Sequence, residues 1–148
     1  MAKITKYVSA YLLWILDLGL TFWLFMISRT VFLSIFALSY KGGQLVYAQR
    51  VDFADQVFSI LLGLAWLAFM IIIEAYFRAG ASGDDLLKRF AGVTGPVLLV
   101  IFGVDLILFW LQGVGGGGWL RSSVLAAELG IGIFLLMLAR VQPKPNPI

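Results

Sequence analysis

Four carboxylic acids interrupt the long apolar runs of this sequence, and each lies in a different run. They are Asp17, Glu74, Asp105 and Glu128. A charged side chain at the centre of a bilayer costs about 2.5 to 3.5 kcal/mol even on the lenient insertion scale, so it must face protein, water or a partner. These acids are therefore the first candidates for a functional site.

Three of the acids are placed deeply. Asp17 and Glu128 lie near the middle of their runs, and Asp105 lies closer to the end of its run. Only Arg29 and Arg121 are near enough to pair with them, so at least one acid is expected to be protonated or to pair with a basic group from another chain. We predict that four residues form intramembrane polar contacts or an ion or proton site: Asp17, Asp105, Glu128 and Arg121.

Glu74 has a different environment, because it lies near the end of its run and four residues before Arg78. On a helix, residues four apart are neighbours, and Glu followed by a basic residue at this spacing is the favourable order. The sequence therefore predicts an interfacial ion pair between Glu74 and Arg78.

The apolar runs predict the fold. Of the 148 residues, 61% are apolar and 13% are charged, and that charged share is roughly half of what a soluble domain carries. Since a membrane-spanning helix needs about 20 apolar residues, we predict an all-α integral membrane protein with one helical-bundle domain over 1–148 and an extended Pro-rich tail at 141–148. The predicted spans are 7–28, 57–77, 90–112 and 119–139, and segment 30–40 is predicted either to lie in the interface or to prolong the first helix.

Several residues are typical of helix ends. Asp52 and Asp55 resemble first-turn acids of the second span, and Asp84 is a plausible N-cap of the third. Pro96 is expected to kink the third span. The glycine-rich segment 113–118 is too short to join distant helices, so the third and fourth spans are predicted to form an antiparallel hairpin.

Small residues recur at intervals that would place them on one helix face. This spacing lets membrane helices approach closely, within the chain or against a partner. The predicted packing residues are Ser122, Ala126 and Gly130 in the fourth span, Gly95 and Gly103 in the third, and Ser59 and Gly63 in the second.

The sequence has no Cys and no His. This excludes thiolate and imidazole metal ligands, and with them the usual nucleophile and base pairs. We therefore expect no enzymatic activity, no metal site and no cofactor held by this chain alone. The alternative left open is a lipid, quinone or pigment held by apolar contacts shared with a partner. The basic residues form no stripe, so nucleic acid is not an expected partner.

Basic residues favour one orientation. With four crossings, seven basic residues fall on the side of the termini and four on the other side. The positive-inside rule then predicts that both termini are cytoplasmic. The expected location is a bacterial inner membrane or an equivalent energy-transducing membrane.

Two functions fit these features. The first is a non-catalytic, small four-helix subunit with a structural or assembly role in a larger membrane complex, in contact with lipid and with other subunits or a second copy of itself. The alternative is a small oligomeric proton- or cation-coupled transporter or channel that uses the intramembrane carboxylates. Four helices rarely enclose a pathway alone, so the second function would require oligomerisation.

Overall fold

The computed structural model describes residues 2–39, 44–81, 85–111 and 118–140. These residues form four helices, α1 (Ala2–Ser39), α2 (Gln44–Ala81), α3 (Leu86–Leu111) and α4 (Gly118–Arg140). All four are long and apolar enough to cross a membrane. The described part of the chain is therefore an all-α structure of the membrane-spanning type, and each predicted span falls on one of these helices.

The first two helices are longer than the predicted spans. Both α1 and α2 contain 38 residues, or about 57 Å at 1.5 Å per residue. Residues 30–39 continue α1, so this segment prolongs the first helix. The prediction that Asp52 and Asp55 occupy a first turn is wrong, because α2 begins at Gln44 and both acids lie in its interior.

The helices do not share contacts equally. In the described part of the chain α3 packs against each of the other three helices, α1 also packs against α2, and α4 packs against α3 alone. One apolar cluster joins α1 to α3 through Ile27 and Val31 on one side and Ile101 and Leu108 on the other. Helix α3 is therefore the central element of the structure.

A second apolar cluster joins one end of α2 to the neighbouring helices. Met70, Ile73 and Phe77 are buried, and Trp14 of α1 and Phe90 of α3 pack against them. The rings of Phe77 and Phe90 have centroids 6.2 Å apart. This cluster fixes the end of the bundle where α2 leads into α3.

The α3–α4 hairpin depends on two glycines that lack a side chain where the backbones meet. A Cβ on Gly95 would lie 3.2 Å from the carbonyl oxygen of Gly132, and a Cβ on Gly132 would lie 3.0 Å from Leu99. Gly95 was among the predicted packing residues, whereas Gly132 was not. At Gly63, Gly103 and Gly130 a Cβ would meet no atom within 4 Å, so these three glycines make no close helix contact within the described part of the chain.

Some predictions fall on other parts of the sequence. The cap Asp84, the residues 112–117 and the tail 141–148 lie outside the described residues. Gly118, predicted as the last turn residue, is instead the first residue of α4.

Candidate functional site

Asp17 lies in the interface between α1 and α3. It is completely buried, with an exposed fraction of 0%. The hydroxyl of Thr94 donates a hydrogen bond to Asp17 Oδ1 at 2.7 Å, while the buried Oδ2 has no hydrogen-bond partner among the described residues. A lone carboxylate in such a place must be neutralised by a proton or by a nearby cation, because isolated charge is very costly in an apolar interior.

A hydrogen-bond chain extends from Asp17 to α2. Thr21 follows Asp17 by one helical turn, and its hydroxyl donates to the main-chain carbonyl of Asp17 at 2.8 Å. The same hydroxyl accepts a hydrogen bond from Trp66 Nε1 at 3.1 Å. Thr21 and Thr94 are 3% and 2% exposed, so this polar cluster joins three helices inside an apolar structure.

Next to this cluster, α1, α2 and α3 form a groove of about 550 Å³. Thr21 and Trp66 belong both to the hydrogen-bond chain and to the groove wall, and Phe25 and Phe69 add two further aromatic rings. Phe69 is 39% exposed, so the groove opens on the surface of the bundle. The remaining wall residues are Leu24, Ser28, Leu62, Ala65, Pro96, Val97 and Val100.

A second group of acids lies between α3 and α4. The side chain of Glu128 lies close to that of Asp105. Glu128 Oε2 is buried and has no hydrogen-bond partner in the described helices. The Arg121 guanidinium lies 5.9 Å from the ring centre of Phe109.

Arg29 does not pair with a deep acid. Its guanidinium binds Asp55 with two hydrogen bonds, at 2.7 and 2.6 Å, and Ser59, a predicted packing residue, lies 3.3 Å from Asp55 Oδ1. The prediction that Arg29 can pair with a deep acid is therefore wrong. Helix α2 extends far enough to place Asp55 opposite Arg29. The deep acids therefore lose one of the two basic groups assigned to them.

Glu74 and Arg78 form an i, i+4 ion pair on the surface of α2. Their side chains are 32% and 59% exposed. Such an exposed pair contributes little to stability, and it lies apart from the buried cluster at Asp17.

The structure therefore separates the predicted site residues into three places. Asp17 lies between α1 and α3, Asp105 and Glu128 lie between α3 and α4, and Glu74 lies on the surface of α2. Sequence reasoning missed Thr94 as the partner of Asp17. The available signal was a hydroxyl residue in an apolar run, and it is weak because a Thr side chain can also bond to its own helix backbone.

Among the described residues, no group of three or more His, Cys, Asp or Glu side chains could hold a metal ion. The sequence matches no protein-family model, and no curated protein or solved structure matches the chain.

Proposed function

We propose that this chain is a non-catalytic subunit of a larger integral membrane assembly. The observation that carries the proposal is the packing of α4, which contacts α3 alone among the described helices. The other faces of α4 are exposed, and they include the small-residue stripe Ser122, Ala126 and Gly130. This stripe is a surface on which another membrane helix can approach closely.

The geometry of Gly130 supports a partner on this face. A Cβ there would meet no atom within 4 Å, so the glycine is not needed for packing among the described residues. Membrane helices have no hydrophobic force between them in lipid, and their association depends on close contact at small residues and on interhelical hydrogen bonds. The partner is another subunit or a second copy of the chain.

The orientation belongs to the same proposal. The seven basic residues on the side of the termini, against four on the other side, favour cytoplasmic termini. Reporter fusions after Ile148 should then read cytoplasmic, and a fusion at Gly116 should read exterior. A cytoplasmic signal at Gly116 would contradict the four-span arrangement or its orientation.

The main test is co-purification from the native membrane in mild detergent. Other polypeptides, or a defined homo-oligomer, should accompany the wild-type chain. Gly130→Leu should release them and leave the melting temperature of the isolated chain unchanged, because the added side chain meets open space. Ile131→Leu is the control, because it changes a neighbouring exposed residue (52% exposed) without changing the side-chain volume. This variant should retain the partners. A wild-type chain that purifies as a monomer without other polypeptides would contradict the proposal.

The buried, unpartnered oxygen of Asp17 favours a second candidate function. A small oligomeric transporter or channel coupled to protons or cations would use such a carboxyl group as its binding site. Liposomes that contain only this chain should then show proton or cation flux, and Asp17→Asn should abolish the flux. Flux that persists in Asp17→Asn, or that is absent from wild-type liposomes, would count against this function.

A further inference from the structure

The groove formed by α1, α2 and α3 has the size of a small-molecule site. Its volume of about 550 Å³ lies within the range of roughly 300 to 1,000 Å³ found for ligand pockets, which are mostly apolar with a few polar groups. Along α1 it extends from Thr21 to Ser28, a rise of about 10 Å. This height is shorter than a full lipid chain, so the groove suits a compact ligand.

The aromatic residues in the wall of the groove favour a positively charged ligand. Phe25, Trp66 and Phe69 line it, and the faces of aromatic rings attract organic cations, Trp most strongly. The residues that line the groove include no Lys or Arg. The nearest basic residue along α1, Arg29, already binds Asp55 through two hydrogen bonds.

A buried carboxyl group lies behind one wall residue of the groove, Thr21. Asp17 lies one helical turn from Thr21, which corresponds to about 6 Å between the Cβ atoms. Asp17 is 0% exposed, and its Oδ2 has no partner among the described residues. Because water is excluded there, a carboxylate behind Thr21 would act on a cation in the groove more strongly than it would in solution.

We propose that the groove between α1, α2 and α3 binds a lipophilic organic cation, with aromatic rings around the cation and Asp17 as its counter-charge behind Thr21. The cation enters from the lipid, on the side where Phe69 and Val100 are exposed. Binding places a positive charge near the carboxyl group and so stabilises its ionised form. The inference concerns binding, and it holds whether or not the chain is a subunit of an assembly.

Tetraphenylphosphonium is a suitable probe, because it is a lipophilic cation built from aromatic rings. Tetraphenylborate is its matched control, since it has nearly the same size and shape and the opposite charge. Equilibrium dialysis of the full chain in mild detergent should show saturable binding of tetraphenylphosphonium and no saturable binding of tetraphenylborate.

Three variants test the groove residues. Asp17→Asn keeps the shape and an acceptor for Thr94, and it should weaken tetraphenylphosphonium binding by about tenfold or more. Trp66→Leu removes an aromatic face and should weaken binding by about threefold. Trp110→Leu is the matched control, because Trp110 is 79% exposed and does not line the groove, and it should leave binding unchanged.

A steric variant keeps the proposal testable if Asp17→Asn fails to fold. Ala65 lines the groove and is exposed, so Ala65→Phe should fill the groove without loss of folding and should abolish tetraphenylphosphonium binding. The proposal is overturned if the wild-type chain shows no saturable binding, if tetraphenylborate binds equally well, or if a folded Asp17→Asn or Ala65→Phe chain binds as tightly as the wild type. None of these outcomes depends on whether other polypeptides co-purify, so failure here is distinct from failure of the subunit proposal.

Discussion

Two neighbouring residues of α3 serve opposite interfaces by different physical means. Thr94 faces α1 and donates its hydroxyl to the buried Asp17. Gly95 faces α4, where the backbones come so close that a Cβ would lie 3.2 Å from the carbonyl oxygen of Gly132. One interface is specified by a hydrogen bond and the other by the absence of a side chain.

The difference shows two ways to join helices when the surroundings are as apolar as the helices themselves. A buried hydrogen bond holds two helices because separation would leave polar groups unpaired. Close backbone approach instead increases the area of van der Waals contact. The first interface should therefore be sensitive to the chemistry of a substitution, and the second should be sensitive to its volume.

The largest effect is expected from Gly132→Leu. Even a Cβ would lie 3.0 Å from Leu99, so a leucine side chain must push α4 away from α3. Overpacking of a close contact costs about 3 kcal/mol, and the melting temperature in detergent should fall sharply.

Gly130→Leu is the matched control for Gly132→Leu. It adds the same side chain two residues earlier on α4, where a Cβ meets no atom within 4 Å, and the isolated chain should melt as the wild type does. An equal loss of stability in both variants would show that the α3–α4 contact is not determined by Gly132.

The second prediction concerns the polar interface. Thr94→Val keeps the shape of the side chain and removes the donor to Asp17 Oδ1, so neither carboxyl oxygen then has a side-chain partner among the described residues. The cost should be about 1 to 2 kcal/mol, since a buried polar group left without a partner is penalised even in a membrane protein.

The double variant Thr94→Val with Asp17→Leu sharpens this result. When both partners become apolar, no group remains unsatisfied, and stability in detergent should recover most of the loss caused by Thr94→Val. Thr94→Ser keeps the hydroxyl and is the conservative control. If the two substitutions together cost the sum of their separate effects, the hydrogen bond does not couple α1 to α3.

The sequence predicted much of the fold, because length and hydropathy alone identify membrane-spanning helices. All four spans fall on helices that are long and apolar enough to cross a membrane. The helix ends were less predictable. Asp52 and Asp55 resembled first-turn acids, but α2 begins at Gln44 and Asp55 pairs with Arg29 of α1 instead.

The candidate site could be predicted only in part. An acid within an apolar run is rare enough to single out Asp17, but its partner depends on which face of α3 meets α1, and one sequence does not determine that. The glycine contact shows the same limit, because Gly130 and Gly132 are both small residues of α4 and only Gly132 faces Leu99. Neither periodicity nor composition distinguishes a helix face packed within the chain from a face turned to lipid or to a partner.

A third and smaller effect is expected in the α1–α2 interface. Arg29 binds Asp55 through two hydrogen bonds, and their side chains are 42% and 20% exposed. Arg29→Met should lower the melting temperature in detergent by less than Thr94→Val does, because solvent screens a partly exposed ion pair. Adding Asp55→Asn to the Arg29→Met chain should lower the melting temperature little further. A second decrease as large as the first would show that the two side chains act independently.

The smallest effect is expected from Glu74→Gln, which breaks the ion pair with Arg78 on the surface of α2. Both groups are substantially exposed, with side-chain fractions of 32% for Glu74 and 59% for Arg78, so solvent screens their attraction and each can adopt other positions at little cost. Helical i, i+4 pairs of this type contribute about 0.3 to 0.5 kcal/mol. The melting temperature of Glu74→Gln should therefore lie close to that of the wild type and well above that of Thr94→Val. If Glu74→Gln destabilises the chain as much as Thr94→Val does, burial is the wrong criterion for ranking its polar contacts, and the contrast between the α1–α3 interface and the surface pair would not hold.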